Sequence, residues 1–215
     1  DGNGATANVV AATPSATAAT GIDLDSTITT LTLASVTGVG AIDVSDSASG
    51  MTVTLAQTGS GDITLNATGG DLAVTTVTAG TAAAIAANGN VALTTTTSGN
   101  LLIGGVTAGA DRVTLTSAGN IGDNTGGAVN VTAADLVATG PTGIGVGAGG
   151  PLETAVARLE AASVGGDLFV ANTGALALGG IGAMIGVSST TGAIGITTAS
   201  PLTVNEDVVT AGAIQ

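Results

Sequence analysis

One short phrase recurs along the chain and restricts its fold more than any other feature. A glycine is followed by a small polar residue, then by two aliphatic residues one position apart. It reads Gly61-Asp62-Ile63-Thr64-Leu65, Gly70-Asp71-Leu72-Ala73-Val74, Gly89-Asn90-Val91-Ala92-Leu93 and Gly99-Asn100-Leu101-Leu102-Ile103. Looser copies stand at Gly127-Ala128-Val129-Asn130-Val131, Gly166-Asp167-Leu168-Phe169-Val170, Gly174-Ala175-Leu176-Ala177-Leu178 and Gly192-Ala193-Ile194-Gly195-Ile196. A unit this short cannot bury its own apolar face, so repetition implies neighbours that stack on one another.

Composition supports stacking. The 215 residues include 36 glycines and a single aromatic, Phe169, with no Cys, His, Trp or Tyr. Thick single cores rest on aromatics for buried area. Yet 44% of the chain is hydrophobic, which is too much for a disordered segment. Many thin cores along one axis satisfy both facts. The lack of Cys excludes a disulfide scaffold and thiolate metal sites, and the lack of His removes the commonest general base and transition-metal ligand. Hydrolytic triads and zinc chemistry are therefore not expected.

Fifteen acidic residues face only Arg112 and Arg158, giving a formal charge of −13. Nucleic acid and anionic membrane surfaces both need a basic footprint, so neither is an expected partner. The acids are spread along the chain and serve solubility. So few basic sites leave little for trypsin-type proteases, which suits an exposed extracellular protein. No glycine-free apolar run reaches the roughly 18 residues of a membrane helix, so membrane insertion is not expected. Asp1 opens the chain without an initiator Met or a basic, apolar-cored leader, and Ala211-Gly212-Ala213-Ile214-Gln215 reads as the start of another repeat. The expectation is a mature or excised piece of something longer.

Aliphatic alternation marks the strands, as in Ile42/Val44, Ile63/Leu65, Leu72/Val74, Val91/Leu93, Val113/Leu115 and Leu168/Val170. Thr and Val favour pleated backbone, while Gly, Asn and Asp between runs turn the corners. Strand starts recur at spacings such as Ile63 to Leu72 and Val91 to Leu101. Antiparallel meanders with that spacing usually carry aromatic cross-strand pairs, which are absent here. The expectation is an all-β parallel β-helix, a β-solenoid of about ten coils with roughly 20 residues each. At ~4.8 Å per coil the rod is about 50 Å long. Residues 1–20 are expected as an irregular lead-in or a preceding coil, and 21–215 as continuous repeats. Residues 151–162 fit either a modified coil or a short helix. Pro151 suits a first helical turn with Leu152, Val156 and Leu159 on one face, yet Leu152, Thr154 and Val156 also alternate as in a strand.

The repeats resemble those of filamentous-haemagglutinin-like exoproteins, the large adhesins of Gram-negative bacteria. The likeness runs through most of 22–215 and is clearest in Val113-Thr114-Leu115-Thr116-Ser117-Ala118-Gly119-Asn120-Ile121-Gly122 and Gly166-Asp167-Leu168-Phe169-Val170-Ala171-Asn172-Thr173-Gly174. It implies a right-handed parallel β-helix, secretion across the outer membrane and a shaft at the cell surface. The chain lacks the secretion domain expected at the start of such proteins and carries no catalytic motif to transfer.

Candidate sites are few. Asp23 and Asp25 flank Leu24 on one face, and Asp43 and Asp46 flank Val44 and Ser45; carboxylate pairs can do acid–base or glycosidase work. No aromatic platform for a sugar accompanies them, and solvated surface acids are the reading preferred. Asp1, Asn3, Asp123 and Asn124 offer hard oxygen ligands beside flexible glycines, so calcium is the one cofactor to consider. The Gly-Gly-x-Gly-x-Asp repeat of calcium-binding β-rolls is absent, and turn formation explains the same residues. Asp62, Asp71, Asn90, Asn100, Asn120 and Asp167 each follow a glycine just before a strand. Side-chain bonding to backbone at repeated corners is the reading preferred there over an ion-binding ladder. Thr30/Thr32, Thr52/Thr54 and Thr114/Thr116 could form flat arrays, but their spacing is irregular. Asn66 and Asn130 match the N-glycosylation pattern, and Gly143–Gly150 lacks the Lys-Ser/Thr of a phosphate loop. The expected function is a non-enzymatic shaft module of a secreted adhesin, with a self-assembling extracellular filament or sheath subunit as the alternative. Expected partners are further repeats or other copies, end-to-end or side-by-side, and a ligand on a host or neighbouring cell.

Overall fold

The computed structural model describes residues 6–81 and 89–215, and these residues hold strands and turns with no helix. The first coil contains β1 (Val9–Ala11) and β2 (Ser15–Ala18). The second contains β3 (Ile22–Ile28), β4 (Thr30–Leu31) and β5 (Leu33–Val39), and the third β6 (Ile42–Asp46) and β7 (Met51–Ser60). Next come β8 (Ile63–Ala67) with β9 (Leu72–Thr78), β10 (Val91–Thr95) with β11 (Leu101–Thr107), and β12 (Arg112–Thr116) with β13 (Ile121–Asp123). The long strands β14 (Val131–Thr139) and β15 (Leu152–Ser163) each run round a corner. The last coils use β16 (Leu168–Asn172), β17 (Leu176–Leu178), β18 (Val187–Ser189), β19 (Ile194–Thr198), β20 (Leu202–Val204) and β21 (Val208–Thr210).

Every strand pairs in parallel with its counterpart one coil away, and the result is a β-solenoid of about nine turns. The aliphatic pairs read from the sequence become ladders. Ile22, Ile42, Ile63, Val91, Val113, Leu136, Leu159 and Leu178 stack in one column. Leu24, Val44, Leu65, Leu93, Leu115, Ala138, Ala161 and Val187 form the next. A second wall stacks Met51, Leu72, Leu101, Ile121, Ile144, Leu168, Ile194 and Ile214, and a third stacks the smaller Ala34, Ala56, Val77, Val106 and Val131. These inward side chains are buried almost without exception. Truncating one, Leu65→Ala for instance, removes contacts to the coils on both sides and costs about 3 kcal/mol.

Residues 151–162 form strand rather than helix. Leu152, Thr154 and Val156 point inward, and the register onto β14 runs unbroken from Thr154 to Val156 and from Arg158 to Ala162. Coil-to-coil pairing on both sides outweighs the local helical spacing, since neighbouring strands satisfy the backbone of the whole segment. The lead-in is a preceding coil over the described residues, because β1 lies in register on β3 and β2 on β5. Phe169 projects outward over Gly195, where an added Cβ would meet its ring. The narrow interior is left to aliphatics.

Candidate functional site

The corner glycines are there mainly because one backbone lies on another. A Cβ on Gly40 would strike the Thr20 carbonyl, one on Gly61 the Gly40 carbonyl, and one on Gly89 the Gly61 carbonyl. A second corner repeats this at Gly70, Gly99, Gly166, Gly192 and Gly212. Gly99 also has φ +104°, so two separate reasons exclude a side chain there.

The polar residue after each glycine ties its coil to the next. The Asp62 carboxylate accepts the Asn90 backbone N–H (2.8 Å) and side-chain amide (3.3 Å), and the Asn90 amide oxygen accepts the Arg112 N–H (3.2 Å). Asp71 receives Asn100 in the same way (2.7 and 3.1 Å), and the Asn100 oxygen accepts the Asn120 N–H (3.0 Å). Asp167 takes the Ala193 N–H (2.8 Å). Hydroxyls at the following corner close the turn within a coil at Ser117 and Ser163 and reach the neighbouring coil at Ser189. Ser117 donates to the Asn120 carbonyl (2.8 Å), Ser163 to the Gly166 carbonyl (2.9 Å) and Ser189 to that same carbonyl (3.0 Å).

The acid pairs regroup. Asp23 stacks on Asp43 across coils, while Asp25 stacks on Ser45. Burial, and then the Asp23 charge beside it, hold the Asp43 carboxyl above the usual carboxylate range. Asp46 turns away from Asp43 and is fully buried. Its carboxylate accepts the Ser26 hydroxyl (3.1 Å), the Ile28 N–H (2.8 Å) and the Ala48 N–H (3.0 Å). With its lone pairs used this way, Asp46 is a structural cap rather than an acid–base partner for Asp43.

Of the calcium candidates, Asp1 and Asn3 lie outside the described residues. Asn124 is exposed, with its backbone N–H on the Ile103 carbonyl (3.0 Å). The Asp123 carboxylate already receives the Thr125 N–H (2.6 Å) and hydroxyl (2.8 Å), the Gly126 N–H (2.8 Å) and the Asn130 amide (2.6 Å). Burial pushes this carboxyl upward, but the donors from Asn130, Thr125 and Gly126 outweigh it and hold Asp123 below the usual range. Glu153 is displaced upward by burial and by the Asp123 charge. Among the described residues no group of three or more His, Cys, Asp or Glu gathers to hold a metal.

Asn130 is fully buried, donates to the Ile103 carbonyl (2.8 Å) and accepts the Glu153 N–H (2.9 Å), so glycosylation there is closed to the folded chain. Asn66 stands on the outer side of β8, partly exposed. The Thr pairs also lie on outer sides, with Thr52, Thr54 and Thr116 exposed and Thr114 partly so.

Sequence reasoning missed one network. Arg112, Asp135 and Arg158 occupy the same register position on three successive coils. Arg158 grips Asp135 through Nε (2.7 Å) and Nη2 (2.8 Å). Beside them Glu160 is fully buried on an outward position, beneath the segment 179–186. A signal was present: Arg112, Asp135 and Arg158 lie 23 residues apart, one coil, and the two arginines are the chain's only bases.

No family model matches this chain, and neither a curated protein nor a solved structure matches it. No helix among the described residues is long and apolar enough to cross a membrane.

Proposed function

We propose that the chain is a non-catalytic shaft module of a large secreted surface adhesin, standing outside a Gram-negative bacterial cell. The observation that carries this reading is the use to which the polar side chains are put. Asp46, Asp62, Asp71, Asp123, Glu160 and Asp167 each spend carboxylate oxygens on backbone N–H groups, mostly of another coil. Groups used in that way join coils; they do not face a substrate. The resemblance of the repeats to filamentous-haemagglutinin-like exoproteins supports the extracellular placement. The small number of basic cleavage points suits it too.

A self-assembling filament or sheath subunit is the second reading. It is favoured by the apolar concavity of about 390 Å³ at the coil of β19–β21, where Leu202, Val204 and Ile214 are exposed. A further parallel coil, from any source, would cover it. Electron microscopy of the purified protein separates the two. The shaft reading expects single rods about 45 Å long, from nine turns at ~4.8 Å each. Long regular fibres would overturn it in favour of the filament. Antibody labelling of intact producing cells tests the placement, and labelling only after permeabilisation would refute it.

A further inference from the structure

The segment 179–186 interrupts the solenoid at a single register position. Leu159 pairs with Leu178 and Ala161 pairs with Val187, so one residue of β15, Glu160, faces eight residues of the next coil. The excess chain loops outward over β15. Its two ends stay tied to the ladder, Gly179 through its N–H to the Leu159 carbonyl (2.8 Å) and Gly186 through its carbonyl to the Ala161 N–H (3.1 Å). Both glycines have positive φ, +90° and +58°, which lets the chain leave and rejoin the coil sharply.

Between these hinges the loop is held by charged side chains that grip its backbone. Glu160 accepts the N–H groups of Ile181 (2.6 Å) and Gly182 (3.1 Å). Glu206 accepts those of Gly180 (3.0 Å) and Gly186 (2.8 Å). Arg158 donates to the Gly180 carbonyl (2.7 Å) and Arg112 to the Ile181 carbonyl (3.2 Å). The loop's own side chains bury only part of their surface: Ile181 and Met184 are half-buried, Ala183 is exposed and Ile185 is 69% exposed. Few apolar contacts and many polar ones mark a segment of low local stability. The closed state also leaves Glu160 Oε2 and Arg112 Nε buried without partners. Opening would hydrate both, which lowers its cost.

We propose that residues 179–186 are an electrostatic latch over the rod's outer face, opening and reclosing as one unit while the coils beneath stay folded. Opening frees Glu160 and Arg112 from the loop backbone, while Arg158 gives up the Gly180 carbonyl and stays paired with Asp135. The inference does not depend on the shaft reading, because it concerns one register position and its neighbours.

Amide hydrogen exchange on the ¹⁵N-labelled full chain tests it. The amides of Gly180, Ile181, Gly182 and Gly186 are expected to share one protection factor, ~100-fold lower than those of Leu101 and Leu168. Glu206→Gln alters hydrogen bonds only at Gly180 and Gly186, yet it should speed all four about tenfold and leave Leu101 and Leu168 unchanged. Acceleration confined to Gly180 and Gly186, or latch amides as slow as Leu168, would overturn the proposal. A second variant replaces 179–186 by a single threonine to match Glu160. It is expected to unfold cooperatively with unchanged strand content, and loss of the fold would count against a separable latch.

Discussion

Two stretches of the rod solve the same stacking problem by different means. From Gly61 to Asn100 the corners at Gly61, Gly70, Gly89 and Gly99 each put Asp or Asn after the glycine, and successive coils lie on one another backbone to backbone. From Val131 to Ser189 the Gly-Asp corner survives at Gly166-Asp167, but the register is broken once, at 179–186, by an inserted loop that charged side chains from several coils hold in place. The first stretch depends on the absence of a side chain at the corner, where no tolerance exists. The second depends on bonds that water can partly replace. Substitutions should therefore be far costlier in the first.

Gly99→Ala is the sharpest test of that contrast. The new methyl group would meet the Gly70 carbonyl and must also adopt φ +104°. Backbone strain of ~1–3 kcal/mol and overpacking of similar size together predict a loss of about 4 kcal/mol, read from the urea midpoint. Gly126→Ala is the control. It has φ +65° but nothing within 4 Å of the added atom, so only the conformational cost of ~1 kcal/mol remains. Equal losses would mean that turn conformation, and not coil contact, places the glycines.

Asp135→Ala probes the second stretch. Asp135 is 7% exposed, and its loss strands the Arg158 guanidinium. Arg158 remains 46% exposed at its side chain, so water recovers part of the interaction. The expected loss is about 2 kcal/mol, below the 3–5 typical of a broken buried pair. A cost matching that of Gly99→Ala would remove the distinction between the stretches.

The regular stretch was legible because its physics is local and periodic. Ile63/Leu65 and Val91/Leu93 declare an inward face, and Gly-Asp or Gly-Asn declares a corner; stacking them fixes the walls. The segment 151–162 was open because its apolar residues satisfy two periods at once, and only the strands on either side decide between them. The regrouping of Asp23 with Asp43, and the burial of Asp46, depend on register between residues 20 apart, which no local pattern carries. The Arg112–Asp135–Arg158 row was in principle readable from its 23-residue spacing. Its attachment to 179–186 was not, because an insertion hides which residue meets which.

Glu153 and Asp123 give a pH test within the irregular stretch. Glu153 titrates above its unfolded value of 4.5, so its ionised form weakens the fold at neutral pH, and acid relieves that penalty as pH falls through the raised value. Asp123 titrates below its unfolded value of 3.8; it stabilises above that pH, and the benefit goes only under stronger acid. Glu153→Gln should therefore stabilise at pH 7 and lose the advantage by pH 4. Asp123→Asn should destabilise at pH 7. A Glu153→Gln gain that persists unchanged at pH 4 would show packing, not charge, as its source.

The smallest effect sits where an acid has an acid for its neighbour. Asp62 lies beneath Asn90 and Asp71 beneath Asn100, so each carboxylate meets amide donors from the adjoining coil. Asp23 lies beside Asp43 in the same stacked relation, and there the neighbour is a second carboxylate, which helps hold Asp43 above the usual range. Asp43→Asn converts that step into the Asp-on-Asn pattern of the later coils. Like charges on adjacent strands cost ~0.2–1 kcal/mol, and both groups are exposed, so solvent screening leaves about 0.3 kcal/mol to gain at low salt. The gain should shrink as salt rises, because exposed charges are screened over roughly 10 Å at 0.1 M. Asp62→Asn, placed under Asn90, should move stability the other way. A loss from Asp43→Asn would mean that Asp43 supports its coil through bonding, as Asp62 does, and that repulsion between stacked acids plays no part in the balance.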